Sequence, residues 1–257
     1  MKSKLTLIFV LFFLVSCQEK FDAPTEFDSS KSQVIYDEIL EAYDASCNEC
    51  LETVFQEWGM GYDELITLTG DDAEAEAVYK TLFQPWKDKD AYSELAYPVS
   101  EYYVLQNNLR YNFDYAELPK DKYSTNTLSD SDLTIKDFHP RINDSEKPIL
   151  FTNKIYSDAI EAFLTIGKKG TFELSKEEQE EIANREAFIE KHVLVNRSHW
   201  ELGFSVESYP KVDKISFNTT KDSALVMFTR DLAGGNALLV KTDGEWVLKT
   251  AKISWIQ

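Results

Sequence analysis

The sequence has few of the residues that build catalytic and metal sites. Only three cysteines and three histidines occur in 257 residues, and His139, His192 and His199 stand at no spacing typical of a metal site. The chain contains no Gly-x-Ser-x-Gly nucleophile turn, phosphate-binding loop, dinucleotide-binding fingerprint, His-Glu-x-x-His motif or EF-hand loop. We therefore expect no metal and no cofactor, and the sequence favours a protein without catalytic activity.

Basic residues are scarce as well. The chain has 27 lysines and arginines against 45 aspartates and glutamates, a formal charge of −18 at pH 7. Nucleic acids and anionic lipid surfaces are bound by clustered basic side chains, so no nucleic-acid partner is expected. A charge of this size would steer a basic protein toward the chain. Neutralisation of a basic protein partner is therefore one functional hypothesis.

The longest apolar run lies at the N-terminus and is too short to cross a bilayer. Residues 5–15 are apolar except for Thr6 and follow Lys2 and Lys4, whereas a membrane-spanning helix needs roughly 20 apolar residues. A basic start followed by such a run is typical of a secretory signal peptide. Residues 1–16 are therefore predicted to direct export from the cytoplasm.

The run ends in Leu14-Val15-Ser16-Cys17, which resembles the lipobox of bacterial lipoproteins. In that family the cysteine is acylated and the chain is cut just before it. The resemblance thus implies lipidation of Cys17 and attachment to a membrane through a lipid anchor. Loss of residues 1–16 removes two lysines, so the charge of −18 becomes −20. Gln18, where an aspartate often signals retention at the inner membrane, favours the outer membrane of the cell envelope and leaves the membrane face open.

Three segments are expected after the signal peptide. Residues 17–32 are polar and are predicted to form a flexible tether. Residues 33–148 are predicted to form a helical part with a few strands, and residues 149–257 an α+β domain with an antiparallel sheet.

Cys47 and Cys50 are the remaining cysteines, and an extracytoplasmic location permits a disulfide between them. Apolar residues recur at helical spacing across residues 34–58, which predicts one long helix with both cysteines on its apolar side. A redox-active pair would lie at a helix N-terminus, where the thiol pKa is lowered, and a zinc site would need two further ligands. The sequence favours a structural Cys47–Cys50 bridge, with redox chemistry and metal binding as the alternatives.

Helices are predicted in both parts by the spacing of apolar residues. One covers about residues 71–84, and two more cover residues 153–166 and 176–195. Ser175 and Glu178 form the pattern of a capping box at the start of the last one.

Strand patterns dominate the end of the chain. Alternation over residues 199–207 and four later apolar segments predicts an antiparallel meander of four to five strands. Residues 233–236 (Ala-Gly-Gly-Asn) and Asp243-Gly244 are predicted as turns within it. The predicted fold class is α+β, with the two preceding helices packed on this sheet.

The closing segments resemble the NTF2-like, cone-shaped family. Two helices followed by antiparallel strands, ending in residues 237–241 (ALLVK) and 243–246 (DGEW), are similar to the second half of that fold, over at most residues 150–257. The resemblance implies a bent sheet with helices closing a pocket. It implies no single function, because members include isomerases, hydrolases, binding modules and dimerisation domains.

Candidates for acid–base chemistry lie around the first predicted strand of the meander. Alternation places His199, Glu201, Glu207 and Tyr209 on the face opposite the apolar residues. On a pocket wall, a histidine and a carboxylate can act as acid and base. On a solvent-facing strand they are ordinary polar residues, which is the interpretation that the pattern favours.

Three tryptophans lie on the predicted strands, and two roles are possible for their side chains. Trp200, Trp246 and Trp255 would line an aromatic cleft for a sugar or an apolar ligand, or they would fill the core, which is the commoner use of such residues.

The sequence thus favours a lipid-anchored cell-envelope protein that acts as a binding or accessory module, with a small molecule as one candidate ligand. The second hypothesis is an NTF2-like hydrolase or isomerase that uses His199 and Glu207. Neutralisation of a basic protein is the third.

Overall fold

The computed structural model describes residues 30–60, 67–82, 100–113, 132–142, 145, 147–168, 174–197, 203–206, 208, 211–230 and 233–256, without the side chains of residues 230, 255 and 256. Within these residues the chain forms five α-helices and ten β-strands. The fold mixes helices with a large sheet and is compatible with the predicted α+β class.

The helices are α1 (Ser30–Asp44), α2 (Asn48–Met60), α3 (Gly70–Leu82), α4 (Lys154–Leu164) and α5 (Lys176–Ile189). The strands are β1 (Tyr103–Leu105), β2 (Asn108–Asn112), β3 (Leu133–Lys136), β4 (Ile149–Phe151), β5 (Asn196–Arg197), β6 (Phe204–Ser205), β7 (Lys211–Phe217), β8 (Ser223–Arg230), β9 (Ala233–Thr242) and β10 (Glu245–Ile256). No helix among the described residues is long and apolar enough to cross a membrane.

The predicted single helix over residues 34–58 is wrong, because the chain breaks between α1 and α2. Ser46 adopts a left-handed conformation with φ of 51°. The amide of Ser46 donates to the carbonyl of Tyr43 at 2.9 Å, and the amide of Cys47 donates to that of Ala42 at 2.8 Å. This pair of hydrogen bonds is the Schellman motif that ends many helices. The sequence lacked the usual signal, since a serine stands where a glycine is common.

Helix starts in the second half follow local signals. The Ser175 hydroxyl accepts from the amide of Glu178, and the Glu178 carboxylate accepts from the amide of Ser175, so the predicted capping box is confirmed. Asn153 caps α4 by accepting from the amide of Ile155. Helix α5 ends at Ile189, six residues before its predicted end at 195.

The main sheet has the strand order β10-β9-β8-β7-β2-β3. Strands β7 to β10 form the predicted antiparallel meander. Strand β2 then adds in parallel to β7, and β3 pairs antiparallel to β2. The sheet therefore has six strands instead of four to five. The predicted first strand is also displaced, because its described end, β6, pairs with β5 in a separate small sheet.

The two predicted turns have different outcomes. Asp243 and Gly244 both have positive φ, 52° and 89°, and link Thr242 to its partner Glu245 in a tight hairpin, as predicted. Residues 233–236, however, belong to β9 and pair with β8 and β10.

Gly235 is needed inside the strand for close packing. A Cβ atom on this residue would lie 2.1 Å from the carbonyl oxygen of Lys252 and 2.8 Å from Cζ of Phe228. Glycine in a strand often marks such a close approach, and here it was mistaken for a turn signal.

Two groups of buried apolar side chains form the interior. The first, called the helical cluster, joins α1, α2, α4 and α5 to β1, β4 and β6 and includes the fully buried Phe163. The second, called the sheet cluster, joins α3 to β2, β3 and β7–β10 and includes the fully buried Phe217. The helix on the sheet is thus α3, and α4 and α5 pack in the helical cluster instead of on the sheet as predicted. Both clusters draw residues from either side of the predicted boundary between residues 148 and 149.

Candidate functional site

A polar cavity of about 260 Å³ lies where the two clusters meet. Val206 of the helical cluster and Val212 of the sheet cluster both contribute to its wall. The cavity is lined by Gln106, Asn108, Arg110, Thr152, Val206, Ser208, Lys211, Val212 and Asp213. Binding sites often lie at such junctions between packed units.

The cavity is held together by the side chain of Gln106, which is buried. Its Nε2 donates to the carbonyl oxygens of Val212 at 3.0 Å and Asn108 at 2.6 Å. Its Oε1 accepts from the amide of Val212 at 2.7 Å. The amide side chain therefore pairs with β7 much as a backbone peptide would, and it extends the short β2–β7 pairing to the cavity.

Asp213 enters the cavity because β7 carries a bulge. Val212 pairs with Phe228 and Lys214 pairs with Met227, so Asp213 is the extra residue between them. Bulges are frequent beside functional sites because they redirect a side chain. Asp213 as a whole residue is 9% exposed, and its Oδ2 accepts from the Thr229 hydroxyl at 2.7 Å. Among the described residues, Oδ1 accepts no hydrogen bond.

Arg110 supplies a positive charge to the same cavity. Its neighbours on β2, Leu109 and Tyr111, point into the sheet cluster, so alternation places Arg110 on the other face. The side chain is half-buried. No ion pair within the described ranges includes Arg110, although Asp213 lines the same space.

Lys211 adds a second positive charge to the wall, and Thr152 and Ser208 add uncharged hydroxyl groups. Thr152 links the two clusters, since its hydroxyl accepts from the amide of Asn107 at 3.1 Å and donates to the Asn107 side chain at 3.2 Å. Ser208 is also buried. Burial raises the pKa of Tyr79 well above its ordinary value of 10.0, although the neighbouring Ser208 side chain and Gln106 backbone oppose this. Tyr79 is therefore neutral at physiological pH.

The acid–base candidates from the sequence, His199, Glu201, Glu207 and Tyr209, lie outside the described residues, as does Trp200. Two neighbours of these candidates, Val206 and Ser208, line the cavity.

The tryptophan prediction can be followed only at Trp246. This side chain is buried against Phe217 in the sheet cluster, and its Nε1 donates to Glu74 Oε2 at 3.0 Å. The side chain of Trp255 lies outside the described set.

Cys47 and Cys50 are joined in a disulfide in the structure, but they do not lie on the apolar side of a helix as predicted. Cys47 is half-buried and Cys50 is exposed. The break after α1 places Cys47 directly before α2, where its Sγ accepts from the amide of Cys50 at 3.1 Å. A helix N-terminus lowers a thiol pKa. Because Cys47 lies at the start of α2 and not within a continuous helix, its position no longer argues against redox chemistry. A structural role for the bridge and a redox role therefore both stay predictions.

Two of the histidines occupy packed positions. His192 is buried, stacks on Phe55 at 5.2 Å and has its Nδ1 2.5 Å from Glu101 Oε2. Burial lowers the pKa of His139, and the charge of Asp137 opposes this. No group of three or more His, Cys, Asp or Glu side chains suited to a metal occurs in the part of the chain that the structure describes.

Sequence reasoning missed Arg110 and Asp213. One signal was available for Asp213: two polar residues, Asp213 and Lys214, separate the inward Val212 from the inward Ile215, and this breaks the period of two and indicates a bulge. Arg110 had no comparable signal, because an arginine on the open face of a strand is ordinary.

No protein-family model matches this chain, and searches of curated proteins and of solved structures found no similar protein.

Proposed function

We propose that this protein is a lipid-anchored binding module of the cell envelope, which holds a small polar molecule in the cavity between its two clusters. Cys17 supplies the anchor, and residues 18–29 supply the tether to the folded part. The predicted end of the tether at residue 32 is corrected, because α1 begins at Ser30 and Ser32 is buried.

The observation that supports binding is that two oppositely charged side chains line the cavity without forming an ion pair with each other. Arg110 and Asp213 line one space, yet no ion pair joins them in the described part of the chain. Buried or half-buried charges without partners are unfavourable. Proteins keep them mainly where a ligand or a reaction uses them. The cavity also offers fixed hydroxyl groups at Thr152 and Ser208, which suits recognition of polar groups.

The binding proposal is tested on full-length protein extracted in mild detergent. Denaturation followed by mass spectrometry identifies small molecules that the protein carries, and calorimetry measures their return to the stripped protein. An Asn108→Trp variant places a large side chain at the rim of the cavity and is expected to abolish binding. The matched control is Thr250→Trp, at an exposed residue of β10 that does not line the cavity. Equal binding by both variants would refute the cavity as the site.

The anchor is tested separately by fractionation. Cys17→Ala is expected to move the protein from the membrane fraction to the soluble fraction, whereas Cys47→Ala is expected to leave it in place. Retention of Cys17→Ala in the membrane would refute lipidation.

At the level of the fold we propose the NTF2-like cone as the finer assignment. It is supported by the β7–β10 meander, by its Asp243-Gly244 hairpin and by a helix, α3, on one face of the sheet. The placement of α4 and α5 in the helical cluster counts against it. An experimental structure with the cavity inside a strongly bent sheet would support the cone, and a cavity outside the concave face would contradict it.

A further inference from the structure

We propose that the cavity takes a small organic acid that carries an ammonium or hydroxyl group beside its carboxylate; this inference rests on the binding function proposed above. The proposal follows from the charge of the cavity, from the available volume, and from Arg110 and Asp213, which form no ion pair within the described residues.

The charge of the cavity is opposite to that of the whole chain. The chain has a formal charge of −18, but among the described residues two cations, Arg110 and Lys211, and one anion, Asp213, line the cavity. Its formal charge is therefore about +1 by side-chain count at neutral pH. The positive charge of the cavity favours an anionic ligand, whereas the acidic exterior of the protein does not attract one. Selectivity for an anionic ligand must therefore come from the residues of the cavity.

Arg110 accounts for the carboxylate. A guanidinium group presents donors in a planar fork that matches the two oxygens of a carboxylate. Arg110 is half-buried at the cavity and takes part in no ion pair within the described residues. Its hydrogen-bonding capacity is thus open to a ligand.

Asp213 accounts for the second group. An ionised carboxylate only accepts hydrogen bonds, and one of its oxygens already accepts from Thr229. The other oxygen accepts none among the described residues, although Asp213 as a whole is only 9% exposed. An ammonium or hydroxyl group on the ligand would supply the missing donor. A ligand with a carboxylate alone would leave this oxygen unsatisfied, which is unfavourable.

The volume sets the size of the ligand. A cavity of about 260 Å³ has room for an amino acid or a hydroxy acid with a short side chain.

The test uses four compounds that share one carbon skeleton. Calorimetry on the full-length protein in detergent compares L-2-aminobutyrate, L-2-hydroxybutyrate, butyrate and 2-amino-1-butanol. We expect the aminobutyrate or the hydroxybutyrate to bind about 10- to 100-fold more tightly than butyrate and aminobutanol, because each of the latter lacks one charge-assisted hydrogen bond. The preferred one of the first two identifies the ligand as an amino acid or a hydroxy acid.

Two variants test which side chain causes each of these two binding preferences. Arg110→Gln is expected to remove the preference for aminobutyrate over aminobutanol. Asp213→Asn is expected to remove the preference for the substituted acids over butyrate. Lys249→Gln, which removes a positive charge from an exposed residue outside the cavity, is expected to change neither. Loss of both preferences in Lys249→Gln would refute the assignment.

The other outcomes separate this inference from the proposed function. Equal affinity for all four compounds, or binding only of a carried molecule without a carboxylate, would overturn the inference and leave the binding module intact. If the wild-type protein neither carries nor binds a small molecule, and Asn108→Trp gives the same result as the wild-type protein, both the binding function and the organic-acid ligand are overturned.

Discussion

The helical cluster and the sheet cluster place their polar groups differently. In the helical cluster, Arg185 is 3% exposed, donates to the carbonyl of Phe163 at 2.9 Å and to Glu181 at 2.7 Å, and lies over the ring of Phe163. The hydroxyl of Tyr43 also donates to Glu181, at 3.2 Å. These bonds lie largely out of water, so salt is expected to affect them little.

The sheet cluster is instead held at its rim by acidic residues of α3. Asp71 pairs with Lys221, and Asp72 accepts from the hydroxyl of Tyr111 at 2.7 Å. Glu74 accepts from Lys241 at 2.8 Å as well as from Trp246. These groups are partly exposed, so acid and salt should loosen α3 before they affect the helical cluster. The two clusters have similar apolar interiors but different sensitivity to solution conditions.

The largest expected effect comes from emptying either interior. Phe163→Ala in the helical cluster and Phe217→Ala in the sheet cluster each remove a ring with no solvent exposure. Each is expected to lower the free energy of unfolding by about 3–5 kcal/mol, as measured by urea denaturation. A loss below about 1 kcal/mol would fall outside the range for a packed core and would show that the cluster concerned is loosely packed.

Replacing a glycine by alanine should change the free energy of unfolding in opposite directions in the two clusters. Gly235→Ala is expected to lower the free energy of unfolding by about 1–3 kcal/mol, because the new methyl group collides with the backbone of β10. Gly59→Ala in α2 meets only Leu150 at 3.4 Å and is expected to raise it by about 0.4–1 kcal/mol. Thermal denaturation of both variants checks the pair, and the same sign in both would contradict it.

Opening the disulfide should affect the helical cluster only modestly. The bridge joins residues three apart, and a closed loop of about four residues contributes at most about 2 kcal/mol by the chain-entropy model. The double variant Cys47→Ser/Cys50→Ser is therefore expected to remain folded with a slightly lower melting temperature. Complete unfolding would establish that the bridge is essential to the α1–α2 junction.

The smallest effect concerns acid and the rim of the sheet cluster. Burial raises the pKa of Glu74, but the hydrogen bonds from Lys241 and Trp246 outweigh burial, so the pKa lies below the ordinary value of 4.5. The stabilisation by Glu74 is thus present above pH 4.5 and is lost as the pH falls through the lower pKa of the folded state.

Two variants in which a glutamate is replaced by glutamine test the direction of this pKa shift. Glu74→Gln is expected to lower the free energy of unfolding by about 0.2–1 kcal/mol at neutral pH and by less well below pH 4.5. Glu245→Gln, at an exposed residue, is expected to have no such pH-dependent difference. A Glu74→Gln effect that grows on acidification would contradict the direction of the shift.

The elements that the sequence predicted well depend on neighbouring residues. The capping box at Ser175, the hairpin at Asp243-Gly244 and the strands of the meander follow from side chains within a few positions of one another. Where a local signal had two meanings, prediction failed. Ser46 ended a helix without the usual glycine, and Gly235 served close packing although it resembled a turn residue.

The predicted pocket face cannot be compared with the cavity, because His199, Glu201, Glu207 and Tyr209 lie outside the described residues. Val206 and Ser208 line the cavity, although strict alternation would place both on the face opposite those four residues. Arg110 and Asp213 are 103 positions apart by number in the sequence. They line the same cavity because β2 pairs with β7 and β7 bulges at Asp213. A pairing of distant strands leaves no mark on either strand's own pattern.

The sequence by itself determined the helix caps, the tight hairpin and the alternation of the last strands, because these structures form from backbone and side-chain groups close in the chain. Its lipobox pattern is equally local, and lipidation of Cys17 remains a prediction from it. The tertiary structure alone decided that α3, and not α4 or α5, covers the sheet, that β2 joins β7, and that Arg110 and Asp213 line one cavity. These features depend on contacts between residues far apart in the chain, and such contacts are set by the packing of whole elements.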